Sequence, residues 1–428
     1  MKTIDITCQL FENNRRKLYP LIIPNSIVII HSNDEMTRTG DQFFPYRQNS
    51  DLFYFCGINQ EKTILVLAPD HPDEQMREIL FILKADKKTE IWTGHRLTAE
   101  EARSISGIKN IRLLEDYEGV LAGMMFYANN VYLNIPEHQK FIQELPTREL
   151  RYANELRNKF PVHSYQRLAP IMRNLRMVKS QCEIELIQKA CSLTRDSFIK
   201  ILGLVKPGIM EYEVEAELTY DFIRNGGRGH AFYPIVASGI NACTLHYVAN
   251  DKECRDGELL LIDFGADYGN YAADCSRTIP VNGKFNDRQK AVYRSVLDVF
   301  KYARSLMKPG ANINEVHDKV CKKFEKEHIR LGLYSRGDLE KQDSKSPLYQ
   351  QYYMHGTSHF LGLDVHDPGD KAAEFRPGMI LTCEPGIYIE KEKTGVRIEN
   401  DILITDEGNV DLMEDIPMEV EELEKLMK

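Results

Sequence analysis

Two nine-residue segments set 121 positions apart constrain this chain more than anything else in it. Gly257-Glu258-Leu259-Leu260-Leu261-Ile262-Asp263-Phe264-Gly265 and Gly378-Met379-Ile380-Leu381-Thr382-Cys383-Glu384-Pro385-Gly386 each run an apolar strand into a carboxylate and then a glycine. A short apolar run bounded by glycine reads as a buried strand, and an acid at its end is costly unless something compensates its charge. A second pair of segments matches at a spacing of 102: Lys206-Pro207-Gly208 followed by Val214, Leu218 and Phe222, and Lys308-Pro309-Gly310 followed by Val316, Val320 and Phe324. The four-residue spacing of the apolar positions predicts a helix behind a Pro-Gly start in each copy. Two such helix-then-strand halves predict a domain with pseudo-twofold symmetry, its sheet facing helices on one side and carrying carboxylates on the other.

Each of the two acids has a second acid downstream. A two-residue turn at Tyr268-Gly269 would set Asp263 directly opposite Asp274, whereas a turn at Gly269-Asn270 would break that register. Glu384 and Glu399 repeat the device around a wider loop, Glu390 to Gly395, between strands expected at Gly386 to Ile389 and Val396 to Ile398. Opposed carboxylates repel each other, so a cation between them is the natural compensation. Histidines gather nearby in sequence: His355, His359 and His366 fall within Met354 to Asp367, among glycines that let backbone approach closely, and His246 lies upstream. Four carboxylates and one imidazole form a hard, oxygen-rich donor set that suits two divalent ions and favours manganese over a thiolate-seeking metal. A water between such ions ionises near neutral pH.

The remainder of the chain supplies the frame. At 428 residues and 43% hydrophobic, it is long enough for two buried cores. Residues 1–165 alternate apolar runs (Ile27 to Ile30, Thr63 to Leu67, Ile79 to Leu83, Asn110 to Leu114, Val131 to Leu133) with polar, helix-like stretches, which predicts an α/β domain. Ser180-Gln181-Cys182-Glu183 is a capping box at the head of a long amphipathic helix, so the boundary is drawn near residue 165 and the second domain covers 166–428. The net charge of −9 is spread over interspersed acids and bases, which argues against nucleic acid as a partner. The first residues lack the order of a secretory signal and no early apolar run could span a bilayer, so no membrane partner is expected. Nine scattered cysteines without a Cys-x-x-Cys pair fit neither a disulfide framework nor a thiolate zinc site, and a cytoplasmic home is expected.

Taken in order, LIDFGADYGNYAADCSRT, HGTSHFLGLDVHD, TCEPGIYIE and GVRIEND, with RQNSDLFYFCG (Arg47 to Gly57) and IWTGHR around Trp92, resemble the pita-bread metallopeptidases. Nearly the whole chain is similar to their Xaa-Pro aminopeptidase (aminopeptidase P) branch. The resemblance implies a pita-bread catalytic domain over 166–428, preceded by a smaller α/β domain of the creatinase/prolidase type. It implies that Asp263 chelates one ion, that Asp274 and Glu399 bridge both, and that His359 and Glu384 complete the other. Manganese is the expected metal, with cobalt, iron(II) or zinc as alternatives. The bridging hydroxide would attack the bond before proline in peptides with an N-terminal Xaa-Pro, and Glu384 would carry its proton to the departing ring nitrogen. His366 would stabilise the oxyanion while His246 and His355 line the proline site. Arg397 would organise one wall of the site, or equally form a salt bridge to Asp263 or another ligand carboxylate. Tyr388 is either a substrate neighbour or strand packing. The amino-terminal domain would act as lid and assembly surface of a homodimer or homotetramer. Trp92 matches a position that reaches a neighbouring subunit's site in relatives, although a lone tryptophan is more often core.

Three other readings use the same fold. A prolidase would cleave only Xaa-Pro dipeptides and would need a cation, such as Arg376 or Arg397, for the carboxylate just beyond proline. A creatinase-like hydrolase or a non-catalytic binding module would lack metal ligands, and here all five are present.

Overall fold

Ser26–His31 (β1) is buried along its entire length, as an uninterrupted Ser-Ile-Val-Ile-Ile-His run requires of a strand covered on both faces. In the computed structural model, which describes residues 6–137 and 145–428, this strand sits inside a six-stranded sheet. Its companions are Ile64–Leu67 (β2), Glu78–Ile82 (β3), Asn110–Leu113 (β4), Asn130–Leu133 (β5) and Ser164–Arg167 (β6), in the order β4-β3-β2-β1-β5-β6. β1 runs antiparallel to β2 and parallel to β5. Ile27, Ile29, Val66, Phe81 and Val131 pack against Leu121 and Met124 of helix Tyr117–Met125 (α1) and Tyr152 and Leu156 of helix Arg148–Lys159 (α2). The α/β reading of this half therefore holds. β6 is a polar Ser-Tyr-Gln-Arg edge strand with no apolar signature. Trp92 is not core: it is 88% exposed, on a short helix, Lys87–Thr93, that buries none of its residues.

The chain divides into two units, one ending at Leu175 and the other running from Arg176 to Lys428. No helix among the described residues is long and apolar enough to cross a membrane. The second unit opens with Gln181–Leu204 (α3), where the Ser180 N–H and hydroxyl both donate to the Glu183 carboxylate, completing the expected capping box. Glu211–Arg224 (α4) buries Val214, Leu218 and Phe222, and Ile313–Arg330 (α6), which follows Asp287–Leu306 (α5), buries Val316, Val320 and Phe324. Gly208 and Gly310 take φ of 93° and 84° at matching places ahead of α4 and α6, a left-handed turn that glycine makes without strain.

The strands repeat as well. Ile235–Ser238 (β7), Leu259–Phe264 (β8) and Cys275–Pro280 (β9) form one antiparallel sheet. Ile380–Cys383 (β10), Asn400–Thr405 (β13) and Gly408–Asp411 (β14) form a second, and Gly386–Ile389 (β11) pairs with Thr394–Arg397 (β12) between them in sequence. The second hairpin keeps one register throughout: Cys383 faces Asn400 and Gly386 faces Arg397, so Glu384 and Glu399 stand opposite each other.

The first hairpin corrects the expected register. The turn is Gly269-Asn270, with φ of 62° and 68°, and Asp263 faces Ser276 rather than Asp274. A type I′ turn needs positive φ at both central residues, which Gly-Asn supplies and Tyr268 would resist. The two aspartates are thereby staggered, with Asp274 brought to the level of Gly265.

Candidate metal centre

Asp263 lies near the end of β8, Asp274 immediately precedes β9, Glu384 follows β10, and Glu399 joins β12 to β13. The histidine segment is laid along β10 as a further antiparallel rung set: Leu361 N–H donates to Ile380 O, Thr382 N–H to His359 O, and Glu384 N–H to Thr357 O, each at 2.9–3.1 Å. This pairing fixes His359 beside Glu384. One ligand atom each from Asp274, His359 and Glu399 lies within 4.8 Å of the others. His359 Nε2 is 3.4 Å from Asp274 Oδ2 and 3.7 Å from Glu384 Oε1. His359 Nδ1 lies 3.1 Å from the Phe360 carbonyl, which places the ring proton there and leaves the Nε2 lone pair turned to the acids.

Arg397 contacts three groups of the site. Its Nη2 donates to Asp263 Oδ2 at 2.7 Å, its Nη1 to the Tyr388 hydroxyl at 2.8 Å, and its Nε to the Ser276 hydroxyl at 2.7 Å. Ser276 in turn donates to Glu399 Oε2 at 2.7 Å. The expected salt bridge to Asp263 is thus present. Tyr388 is buried among Ile235, Ala237, Ala242 and Leu261, so it is packing, and it also reaches His355 Nε2 at 2.8 Å. Because His355 Nδ1 is 2.8 Å from the Gly356 carbonyl and 3.5 Å from Glu384 Oε2, Nδ1 carries the proton and Nε2 accepts from Tyr388. Burial, followed by the charge of Arg397, pushes the His355 imidazole down to about 3, so it is neutral.

Two further histidines were expected at the site. The His366 ring is exposed and meets the His359 ring edge-on, 4.4 Å between centroids. His246 is exposed on the loop after Gly239–Cys243 and is among the groups that act electrostatically on His355.

Burial pushes the Asp274, Glu399 and Glu384 carboxyls above the usual range, and the neighbouring acids add to it; Arg397, and for Glu384 also His359, oppose the shift. Asp263 Oδ1 is buried without a hydrogen-bond partner among the described residues. Crowded carboxylates, an orphaned buried oxygen and a bare imidazole nitrogen are the donor set of a divalent cation site.

Sequence reasoning missed several residues that hold this geometry. Asp401, fully buried two residues beyond Glu399, accepts from the Asp274 N–H at 3.1 Å, and its only sequence signal was the spacing after Glu399. Ser276 carries none. Asp367 accepts from Arg176, Lys179 and the Asp364 N–H, all beneath the His359 to His366 segment, and a second acid after a histidine was its only sign.

Comparison with known proteins agrees with this architecture. Residues 185–406 match the model of metallopeptidase family M24, and residues 11–132 match the aminopeptidase P N-terminal domain. The chain is 34% identical to the Xaa-Pro aminopeptidase of Escherichia coli (strain K12), covering 99% of this chain and 98% of that one. Its structure superposes on E. coli aminopeptidase P with the inhibitor Pro-Leu at a TM-score of 0.89 and 33% identity, with 99% of each chain covered. On Pseudomonas aeruginosa aminopeptidase PepP the TM-score is 0.90 at 32% identity, again with 99% of each chain covered. The chain thus belongs to metallopeptidase family M24, with the pita-bread fold in its second unit and an aminopeptidase P-type domain before it in sequence.

Proposed function

We propose that this protein is a manganese-dependent Xaa-Pro aminopeptidase that releases the first residue of peptides whose second residue is proline. The observation that carries the reading is the meeting of Asp274, His359 and Glu399 ligand atoms within 4.8 Å, with Asp263 and Glu384 beside them, in a chain similar over 99% of its length to an Xaa-Pro aminopeptidase. Asp263, Asp274, His359, Glu384 and Glu399 would hold two divalent ions. The absence of any thiolate among these donors favours manganese, and cobalt, iron(II) and zinc fit the same set. Bound there, the ions supply the positive charge that ionises water near neutral pH and polarises the scissile carbonyl.

The chain's own groups move and place the rest. Glu384, with its carboxyl raised by burial, takes up a proton and returns it to the proline nitrogen, which leaves well only when protonated. Arg397 holds the Asp263 carboxyl in place. His355, neutral and fixed between Gly356 and Tyr388, serves as a wall of the proline site together with His246, while His366 faces the developing oxyanion. Residues 1–165 act as lid and assembly surface of a cytoplasmic homodimer or homotetramer, and residues 166–428 carry the chemistry.

One observation separates this reading from a prolidase. A dipeptidase needs a free cation for the carboxylate after proline, whereas three of the five Arg397 N–H groups are already used on Asp263, Ser276 and Tyr388 and its charge is paired with Asp263. Arg376 is exposed and precedes β10, whereas Glu384 follows that strand. The test is to load the protein with manganese, offer an Xaa-Pro dipeptide beside an Xaa-Pro-Yaa-Zaa tetrapeptide, and follow products by mass spectrometry. Release of one residue from the tetrapeptide is expected. Cleavage of the dipeptide alone would make the protein a prolidase, and cleavage of neither with metal bound would favour a binding module.

A further inference from the structure

Glu211, the first residue of α4, is a fully buried carboxylate with no part in the metal centre. It is met by neutral donors drawn from a single stretch of chain. Its Oε1 accepts from the Ser238 N–H and hydroxyl, both at 2.7 Å, and from Asn241 Nδ2 at 3.1 Å. Its Oε2 accepts from the Tyr247 hydroxyl at 2.7 Å and the Lys252 N–H at 3.0 Å. One helical turn on, Glu215 accepts from Asn250 Nδ2 at 2.8 Å, and Asn250 Oδ1 accepts the Val236 N–H. The same face of α4 therefore clamps residues 238–252 at both ends and in the middle.

The clamped stretch carries His246. Leu245 and Tyr247 on either side of it pack on the cluster that holds Tyr388, and the Gly239–Cys243 turn abuts β12, where Cys243 Sγ approaches the Thr394 carbonyl at 3.6 Å. Nothing else about Glu211 points to the reaction, and a buried acid gathering this many donors from one loop has a positional consequence. We infer that Glu211 is a positioning residue for substrate binding: through Tyr247 and the Lys252 N–H it fixes the loop that presents His246 to the peptide. The inference rests on the reading of the site as one for proline peptides.

The test uses the manganese-loaded full chain as wild type, Glu211→Gln, Tyr247→Phe, His246→Ala and the Glu211→Gln/His246→Ala double variant. Glutamine keeps Oε1 but turns an NH2 group on the Lys252 N–H, so the loop loses its second anchor. Glu211→Gln is expected to raise KM for an Xaa-Pro tetrapeptide, and the Kd of the dipeptide Pro-Leu, about tenfold, with kcat changed less than about twofold and metal content unchanged. Tyr247→Phe, a milder change that decides the matter if Glu211→Gln does not fold, is expected to raise both about threefold. In the His246→Ala background, Glu211→Gln is expected to add less than about twofold. Equal effects in both backgrounds, a fall in kcat at constant KM, or a folded variant with wild-type KM and Kd would overturn the assignment. If the wild type binds Pro-Leu but cleaves no Xaa-Pro peptide, the proposed function fails while the Kd values still decide the role of Glu211. Binding of neither peptide overturns both.

Discussion

The two acid-bearing hairpins solve the same electrostatic problem in different ways. In the second, Glu384 and Glu399 stand opposite each other in one unbroken register. In the first, the Gly269-Asn270 turn staggers Asp263 and Asp274, and Ser276 takes the place facing Asp263. That serine is small enough to admit Arg397, and it passes the arginine's hydrogen bonding on to Glu399. A one-residue change in turn placement thus separates a hairpin whose Asp263 is met by Arg397 of the other hairpin from one whose two acids face each other directly.

The largest expected difference concerns Glu384 as proton carrier. Glu384→Gln keeps an oxygen for the metal but removes the titratable group, and kcat should fall about 10³-fold while manganese content, measured by atomic absorption, stays within reach of wild type. Retention of more than a tenth of the activity would remove Glu384 from proton transfer.

Gly265 and Gly386 occupy equivalent places in the two hairpins and should differ next most. A Cβ on Gly265 would lie 1.7 Å from the Ala273 carbonyl oxygen, which is backbone and cannot step aside, whereas on Gly386 the nearest atom is the Tyr388 hydroxyl at 2.7 Å. Gly265→Ala should cost more than about 3 kcal/mol in denaturant unfolding and Gly386→Ala about 1 kcal/mol. Equal costs would mean that the first hairpin relaxes more readily than its geometry allows.

Charge sets the third expectation. Folded Asp274, Glu384 and Glu399 hold protons more tightly than unfolded ones, so the metal-free fold is favoured at low pH and loses stability as pH rises from about 4 through the raised values. Melting temperatures of chelator-stripped protein should fall between pH 5 and pH 8 relative to the manganese-loaded form, so the gap widens with pH. A gap that narrows would place the repulsion elsewhere.

The smallest effect belongs to the hydroxyl shared by Arg397 and His355. Tyr388→Phe preserves the packed ring and removes both hydrogen bonds of the hydroxyl, which should lower kcat/KM about fivefold. A loss above a hundredfold would mark this hydroxyl as a direct contact to the reacting atoms.

Asp263 and Glu384 stood out as ligand candidates because acids ending apolar strands conflict with burial, and such conflicts are visible in a one-dimensional pattern. The repeated helices were legible for the same reason, since Val214, Leu218 and Phe222 recur as Val316, Val320 and Phe324 on buried faces. The register of the first hairpin was not, because it turns on which two residues accept positive φ, and one shifted residue changes every partner. Ser276 and Glu211 act through geometry that no local pattern announces: a serine in a strand and a glutamate at a helix start are commonplace. β6 escaped because an edge strand needs no apolar alternation, and Trp92 because size alone does not decide burial.

The central claim is that the two hairpins and the histidine segment together hold two ions. A crystal grown with manganese and measured at the manganese absorption edge tests it most directly. Two anomalous peaks are expected, both bounded by Asp274 and Glu399, one reaching Asp263 and the other His359 and Glu384. A single peak, or two peaks away from these carboxylates, would contradict the account.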